Sequence, residues 1–280
     1  MSHRSATIVR FRYFGLVLAA TVSFGWFAVA DETPSAAPKA SDKPTAKPDK
    51  ANVEKAKDDE AEVAQPGTKD ESKPRSLFDG KSLGDWKESG FPTQGRVKVE
   101  DGRIVIGFGE GCSGITYKGK FPTTNYELSL EAMRVDGSDF FCGLTFPVQP
   151  AADHPRRDKE KKDEVWPCTL ILGGWGGGVV GLSSVDGHDA SENATSSYKE
   201  FESGKWYKVR VRVTEKKIEA WLDKEKVVDL TVGDRQLSIR LEVEESKPLG
   251  IATWRTTGAV KNIAVTTVKE PDSPPEIDDR

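Results

Sequence analysis

The chain has 280 residues, 31% charged and 36% hydrophobic, with a formal net charge of -4. Lys and Arg are interspersed with Asp and Glu, so no single-sign field forms and a nucleic-acid partner is not expected. The three cysteines, Cys112, Cys142 and Cys168, show no C-x-x-C or Cys/His spacing, which excludes a zinc ribbon or finger.

Arg4, Arg10 and Arg12 precede an apolar run, Phe14 to Ala30, that ends on Ala28-Val29-Ala30. This is the pattern of a secretory signal peptide over residues 1–30. The run is shorter than the ~20 residues a membrane span needs. The expectation is export to the periplasm or the extracellular space, with no stable membrane span after cleavage; an uncleaved anchor is the alternative. Export permits one disulfide, with the pair left open and at least one thiol unpaired. Residues 31–75 are rich in Ala, Pro, Lys, Asp and Glu and lack aromatic residues. They cannot bury enough apolar surface to offset their ordering entropy, so a disordered tether is expected, with at most a short isolated helix around 53–64. The tail over 271–280 reads the same way.

Residues 76–270 form one domain whose punctuation is all-β. Val97–Phe108 alternates around Asp101-Gly102, a hairpin signal. Tyr126, Leu128, Leu130 and Ala132 share one face of a strand, with Glu127, Ser129 and Glu131 on the other. Tyr207, Val209, Val211 and Val213 alternate with Trp206, Lys208, Arg210 and Arg212, and Ile218, Ala220 and Leu222 with Glu219, Trp221 and Asp223. "FFCGLTF", "CTLIL", "GGVVGL", "LSIRLEV", "LGIATW" and "VKNIAVTTV" complete about a dozen short strands, and no helix longer than two turns is evident. The fold class is therefore a two-sheet antiparallel β-sandwich. The polar stretch 149–165 falls between two apolar strands and reads as a surface loop, either a lid or a floppy insertion.

"ILGGWGGGVVGL" (171–182) contains a formal G-x-G-x-x-G match at Gly176, Gly178 and Gly181. A dinucleotide fingerprint needs a helix to follow, and here β-branched residues, glycines and serines follow; no Lys completes a phosphate loop either. Nucleotide is not an expected partner. The glycines read instead as strand-level clearance around Trp175. That residue either fills a core or offers its face to a sugar. The next loop concentrates Asp186, His188, Asp189, Glu192 and Asn193. Paired carboxylates and a His are what glycosidic hydrolysis uses, making Asp186, Asp189 and His188 the candidate catalytic residues and Glu192 a candidate substrate contact. A solvated turn-rich loop is the other reading. The EF-hand spacing is absent, so no metal or cofactor is implied, with a structural calcium left open. Trp254 and Arg255 are further candidate substrate contacts, pointing to opposite faces if both lie on one strand. Trp221 reads as a surface aromatic covered by Arg210 and Arg212. Glu127 and Glu131 share one strand face, either solvated or turned to a binding surface. No G-x-S-x-G or H-E-x-x-H motif is present, which argues against esterases and zinc proteases.

"SLFDGKSLGDWK" (Ser76 to Lys87) resembles the opening of the DUF1080, or 3-keto-disaccharide hydrolase, family. "NYELSLEAMR" (125–134), "GKWYKVRVRVTEKKIEAWLDKEKVVDL" (204–230) and "GIATWRTTGAVKNIAV" (250–265) are similar to later segments of that family. The resemblance spans Ser76 to about Val268 and implies a concanavalin A-like lectin/glucanase jelly roll whose concave sheet meets carbohydrate. The family's N-S-G-[IVL]-x-[FW]-R strand is here "FFCGLTFP" (140–147), in which only Gly143 and Phe146 keep their places. The functional expectation is an exported domain acting on or binding glycans, as a hydrolase or lyase of 3-keto-glycosides. The alternatives are a lectin-like carbohydrate-binding module and a structural cell-envelope domain.

Overall fold

A computed structural model describes residues 73–269. The expected signal peptide, nearly all of the tether and the tail lie outside the described residues. In chain order the strands are β1 (Arg75–Ser76), β2 (Trp86–Glu88), β3 (Val97–Glu100), β4 (Arg103–Ile106), β5 (Cys112–Tyr117), β6 (Tyr126–Gly137), β7 (Cys142–Val148) and β8 (Trp166–Gly174). They continue with β9 (Val179–Ser183), β10 (Ser197–Tyr198), β11 (Trp206–Val213), β12 (Lys217–Leu222), β13 (Glu225–Thr231), β14 (Gly250–Trp254) and β15 (Thr256–Thr267). An eight-stranded sheet runs β13-β12-β11-β6-β15-β4-β3, with β1 added on β15, and a seven-stranded sheet runs β10-β9-β8-β7-β14-β5-β2. Every pairing is antiparallel. The protein is a two-sheet antiparallel sandwich.

Period-2 alternation decides which side chains fill it. On β6, Tyr126, Leu128, Leu130 and Ala132 are buried while Glu127, Ser129 and Glu131 are partly exposed. They meet Leu144, Phe146, Leu170, Leu172, Val180 and Leu182 from the facing sheet in one continuous core. Two large aromatic residues in this core have their polar tips matched: Trp86 Nε1 donates to the Leu77 carbonyl at 2.9 Å, and Tyr126 Oη to the Pro147 carbonyl at 2.6 Å. At the β3–β4 hairpin, Asp101 and Gly102 both have positive φ, 48° and 74°, as a two-residue type I′ turn requires. On the outer face of the eight-stranded sheet, Arg210 lies 3.9 Å from the Trp221 ring centroid, while Arg210 and Arg212 both donate to Glu127. Glu127 is thus an ion-paired sheet-surface acid, and the expected covering of Trp221 by cations is observed.

Three expectations change. "LSIRLEV" is not a strand: only Leu237 forms a bridge, to Val185, and Leu241–Ser246 is a 3-10 turn. Both edges of β14, the strand that follows, are already paired, with β5 and β7, and this segment crosses the outer face of the seven-stranded sheet. Stretch 149–165 is no floppy insertion, because His154 anchors it. His154 is 4% exposed, and its ring stands edge-on to Trp166 at 4.7 Å, sits 3.1 Å from the Arg235 carbonyl through Nε2, and accepts the Arg156 N–H through Nδ1. The three cysteines are buried free thiols with no disulfide among them, and burial pushes each thiol pKa up to about 12.

Leu128→Ala should cost about 2–5 kcal/mol in guanidinium unfolding, because its cavity opens in the middle of the core. Trp221→Ala, on the outer surface, should cost only about 1 kcal/mol. Equal losses would contradict this assignment of faces.

Candidate functional site

Arg134 continues the inward parity of β6 past Ala132, and is 6% exposed at the end of the core. Its guanidinium reaches across the sandwich to the glycine turn between β8 and β9. Nη2 donates to the carbonyls of Gly177 at 2.8 Å, Asp139 at 3.2 Å and Gly173 at 3.5 Å, and Nη1 to that of Phe201 at 3.4 Å. The rings of Phe141 and Phe201 lie 5.2 and 5.8 Å from the guanidinium carbon. Burial draws the Arg134 pKa down, with Asp139 and Tyr207 opposing. A Cβ on Gly173 would stand 2.5 Å from Arg134 Nη2, and one on Gly178 would stand 2.1 Å from the Tyr198 ring. The glycines therefore clear space for Arg134 and Tyr198, not for Trp175 as the sequence suggested. Trp175 itself takes φ +48° and is 42% exposed, so it is a projecting aromatic and not core filling.

Asp139 holds this turn from the side. Its Oδ1 accepts the Phe140 N–H at 2.7 Å and its Oδ2 the Gly176 N–H at 3.2 Å. Beside it lies a cavity of about 210 Å³ on the outer face of the seven-stranded sheet. Trp175, Trp254 and Phe140 supply aromatic surface; Thr169 and Ile171 of β8 and Ser183 of β9 form a sheet floor; Arg240, Glu242 and Val243 come from the crossing segment. Arg240 bonds Asp189 at 2.7 Å and Glu242 at 2.7 and 3.3 Å, with its guanidinium carbon 6.0 Å from the Trp175 ring centroid. The Arg240 fork draws the Glu242 pKa down. At Asp189 burial pulls the pKa up, but the Ser191 hydroxyl and N–H, together with Arg240, outweigh it and the net shift is downward.

The rest of this sheet face is covered by the chain itself. Val243 packs with Phe91, Cys112 and Ala252, Thr116 Oγ1 donates to the Glu245 carbonyl at 2.6 Å, and a Cβ on Gly250 would stand 2.4 Å from the Ser246 carbonyl oxygen. Over β9, a Cβ on Gly181 would meet the carbonyls of Ala190 and Thr195 at 3.1 Å.

Of the residues proposed from sequence, Trp175 and Trp254 line the cavity, and Asp189 reaches its edge through Arg240. The others do not line it. Asp186 accepts the Gln236 N–H at 2.9 Å and pairs with Arg235 at 3.1 Å and Arg156 at 3.5 Å, contacts that lower its pKa, the Gln236 N–H foremost. His188 and Glu192 are exposed on the loop. Asn193 is used internally, donating to the Leu182 and Asp189 carbonyls at 2.7 Å. Arg255 is exposed, with φ +44°, and its Nε donates to the Glu110 carbonyl at 2.9 Å. Arg134, Asp139, Arg240, Glu242 and Ser183 were missed. The inward parity of Arg134 on β6 was a usable signal; the Arg240–Glu242 pair was hidden by reading its segment as a strand. Among the described residues no three His, Cys, Asp or Glu side chains cluster as a metal site, and no helix is long and apolar enough to cross a membrane.

The fold and the cavity define a two-sheet β-sandwich with an aromatic-walled site on one outer face. Residues 73–266 match the profile of the 3-keto-alpha-glucoside-1,2-lyase-like domain, and the chain belongs to that family. No curated protein matches it. Among solved structures, a candidate glycosyl hydrolase from Parabacteroides distasonis is 18% identical, covering 72% of this chain and 98% of its own, with a TM-score of 0.44. The carbohydrate binding module CBM66 from Bacillus subtilis is 12% identical over 65% of this chain and 95% of its own, with a TM-score of 0.37.

The lowered pKa values of Glu242 and Asp189 stabilise the fold above the ordinary carboxylate range, and that contribution is lost as pH falls through the lowered values. Denaturant midpoints should therefore decline below about pH 4. Arg240→Met should flatten that acid limb; an unchanged limb would show that the pair is inert.

Proposed function

We propose that the domain binds a glycan in the cavity beside Trp175 and Trp254, as a lectin-like module on an exported chain. The observation that carries this reading is the pair of tryptophans lining one cavity with an ion-paired Arg240–Glu242 fork at its edge. A pyranose ring presents apolar C–H faces to aromatic planes and equatorial hydroxyls to fixed polar groups, and a site of this composition offers both. Binding is favoured over turnover by the carboxylates. Glycosidic hydrolysis needs one carboxyl protonated near neutral pH, so its pKa must be raised. Those of Glu242 and Asp189 are lowered by their partners.

In a glycan array followed by calorimetry, the full chain should retain at least one glycan, and Trp175→Ala and Trp254→Ala should each weaken it at least about tenfold with circular dichroism unchanged. Absence of any glycan ligand would overturn the proposal. Family membership favours a second reading, cleavage of a 3-keto-glycoside, in which a base removes the C–H acidified by the carbonyl and the glycosidic oxygen leaves. Release of free sugar from a 3-keto-disaccharide, lost in an Asp189→Ala variant whose circular dichroism is unchanged, would replace the binding-only proposal with this one.

The basic and apolar pattern of residues 1–30 supports action outside the cytoplasm. N-terminal sequencing of the mature protein should begin at Asp31; an intact Met1 terminus in the cytosolic fraction would refute export.

A further inference from the structure

The cavity floor contains a polar group left unsatisfied by the protein. Ser183 Oγ lines the cavity, the residue is 1% exposed, and among the described residues the oxygen has no hydrogen-bond partner. On the same sheet face, the hydroxyls of Thr145 and Thr169 bond each other at 2.8 Å. A buried hydroxyl without a partner destabilises the fold, and in native structures such a group calls for a partner the protein does not supply. Here the group faces a ligand-sized space.

Size and cover restrict what enters that space. About 210 Å³ is less than the roughly 300–1,000 Å³ of sites that enclose drug-sized ligands. Phe91 and Val243 occupy the sheet face toward β5 and β14, and the Ala190–Thr195 loop occupies it over β9. This cover shortens the stretch of sheet face that a polysaccharide could lie along. Charge restricts the ligand further. Arg240, the cation lining the cavity, is already shared between Asp189 and Glu242, and Asp139 adds another carboxylate to the wall. A ligand carboxylate would meet acids and no unmatched cation.

We infer that the cavity takes one terminal, uncharged pyranose unit, entering end-on, with Ser183 Oγ hydrogen-bonding a hydroxyl of that unit. This rests on the proposal that the cavity binds sugar. It identifies the ligand as the neutral end of a glycan, and Ser183 as the residue that reads it.

The test uses the full chain on an array carrying glycans with neutral terminal hexoses, glycans with uronic-acid or sialic-acid termini, and cyclic glucans, which have no ends. Retained glycans should all have neutral termini, and the cyclic glucans should be silent. For a retained glycan, Ser183→Ala should weaken binding about tenfold, the loss of one hydrogen bond. Its thermal midpoint should be unchanged or higher, because no internal bond is removed. A purely structural serine would lower the midpoint and leave affinity alone. Binding that depends on Trp175 but extends to cyclic glucans or acidic termini overturns this inference while leaving sugar binding intact, as does an unaltered affinity in Ser183→Ala. Absence of all glycan binding removes the broader proposal as well.

Discussion

The buried guanidinium of Arg134 joins the two sheets where the core ends. It leaves the eight-stranded sheet on the inward side and donates to carbonyls of Gly173 and Gly177 in the facing turn, and to those of Asp139 and Phe201. A cation in this position is tolerable only because carbonyl oxygens and aromatic faces replace the water it has lost. The turn must in turn be made of glycine, since a side chain at Gly173 would collide with the guanidinium. With the turn held from below by Arg134 and from the side by Asp139, Trp175 projects from a fixed backbone and not from a loose loop.

The second constraint is the segment from Leu237 to Leu249. With both edges of β14 occupied, it lies over the outer face of the seven-stranded sheet and builds a small second core there with Phe91, Cys112 and Ala252. That cover reduces a broad sheet face to a compact cavity. It also brings Arg240 to Asp189, so the loop after β9 and the crossing segment are tied by one ion pair at 2.7 Å. Partly exposed pairs of this kind contribute modestly to stability, and a guanidinium shared by two carboxylates also fixes the orientation of all three groups. The role of the pair in the site is geometric.

Strand faces were legible because burial on one side of a sheet imposes a strict period of two, and β6, β11 and β12 follow it residue by residue. The Asp101-Gly102 turn was legible because few residues accept positive φ twice in succession. The fate of "LSIRLEV" was not, since its alternation suits a strand and only the packed structure lays it across a sheet face. Asp186 and His188 looked like chemistry because acids and a histidine sit close in sequence. In space, Asp186 holds Gln236, Arg235 and Arg156, while the acids beside the cavity come from three separate parts of the chain.

By itself the sequence determined the sandwich class, the inward set of each long strand, and the strand, in place of a helix, that follows the glycine turn, because each depends on local periodicity or on local turn chemistry. The tertiary structure alone decided that the glycines serve Arg134 and Tyr198, that Trp175 is exposed, and that Trp254, Arg240 and Ser183 share a cavity with it. These outcomes rest on which elements compete for a sheet edge and which then cross its face, a matter of long-range packing that no window of sequence contains.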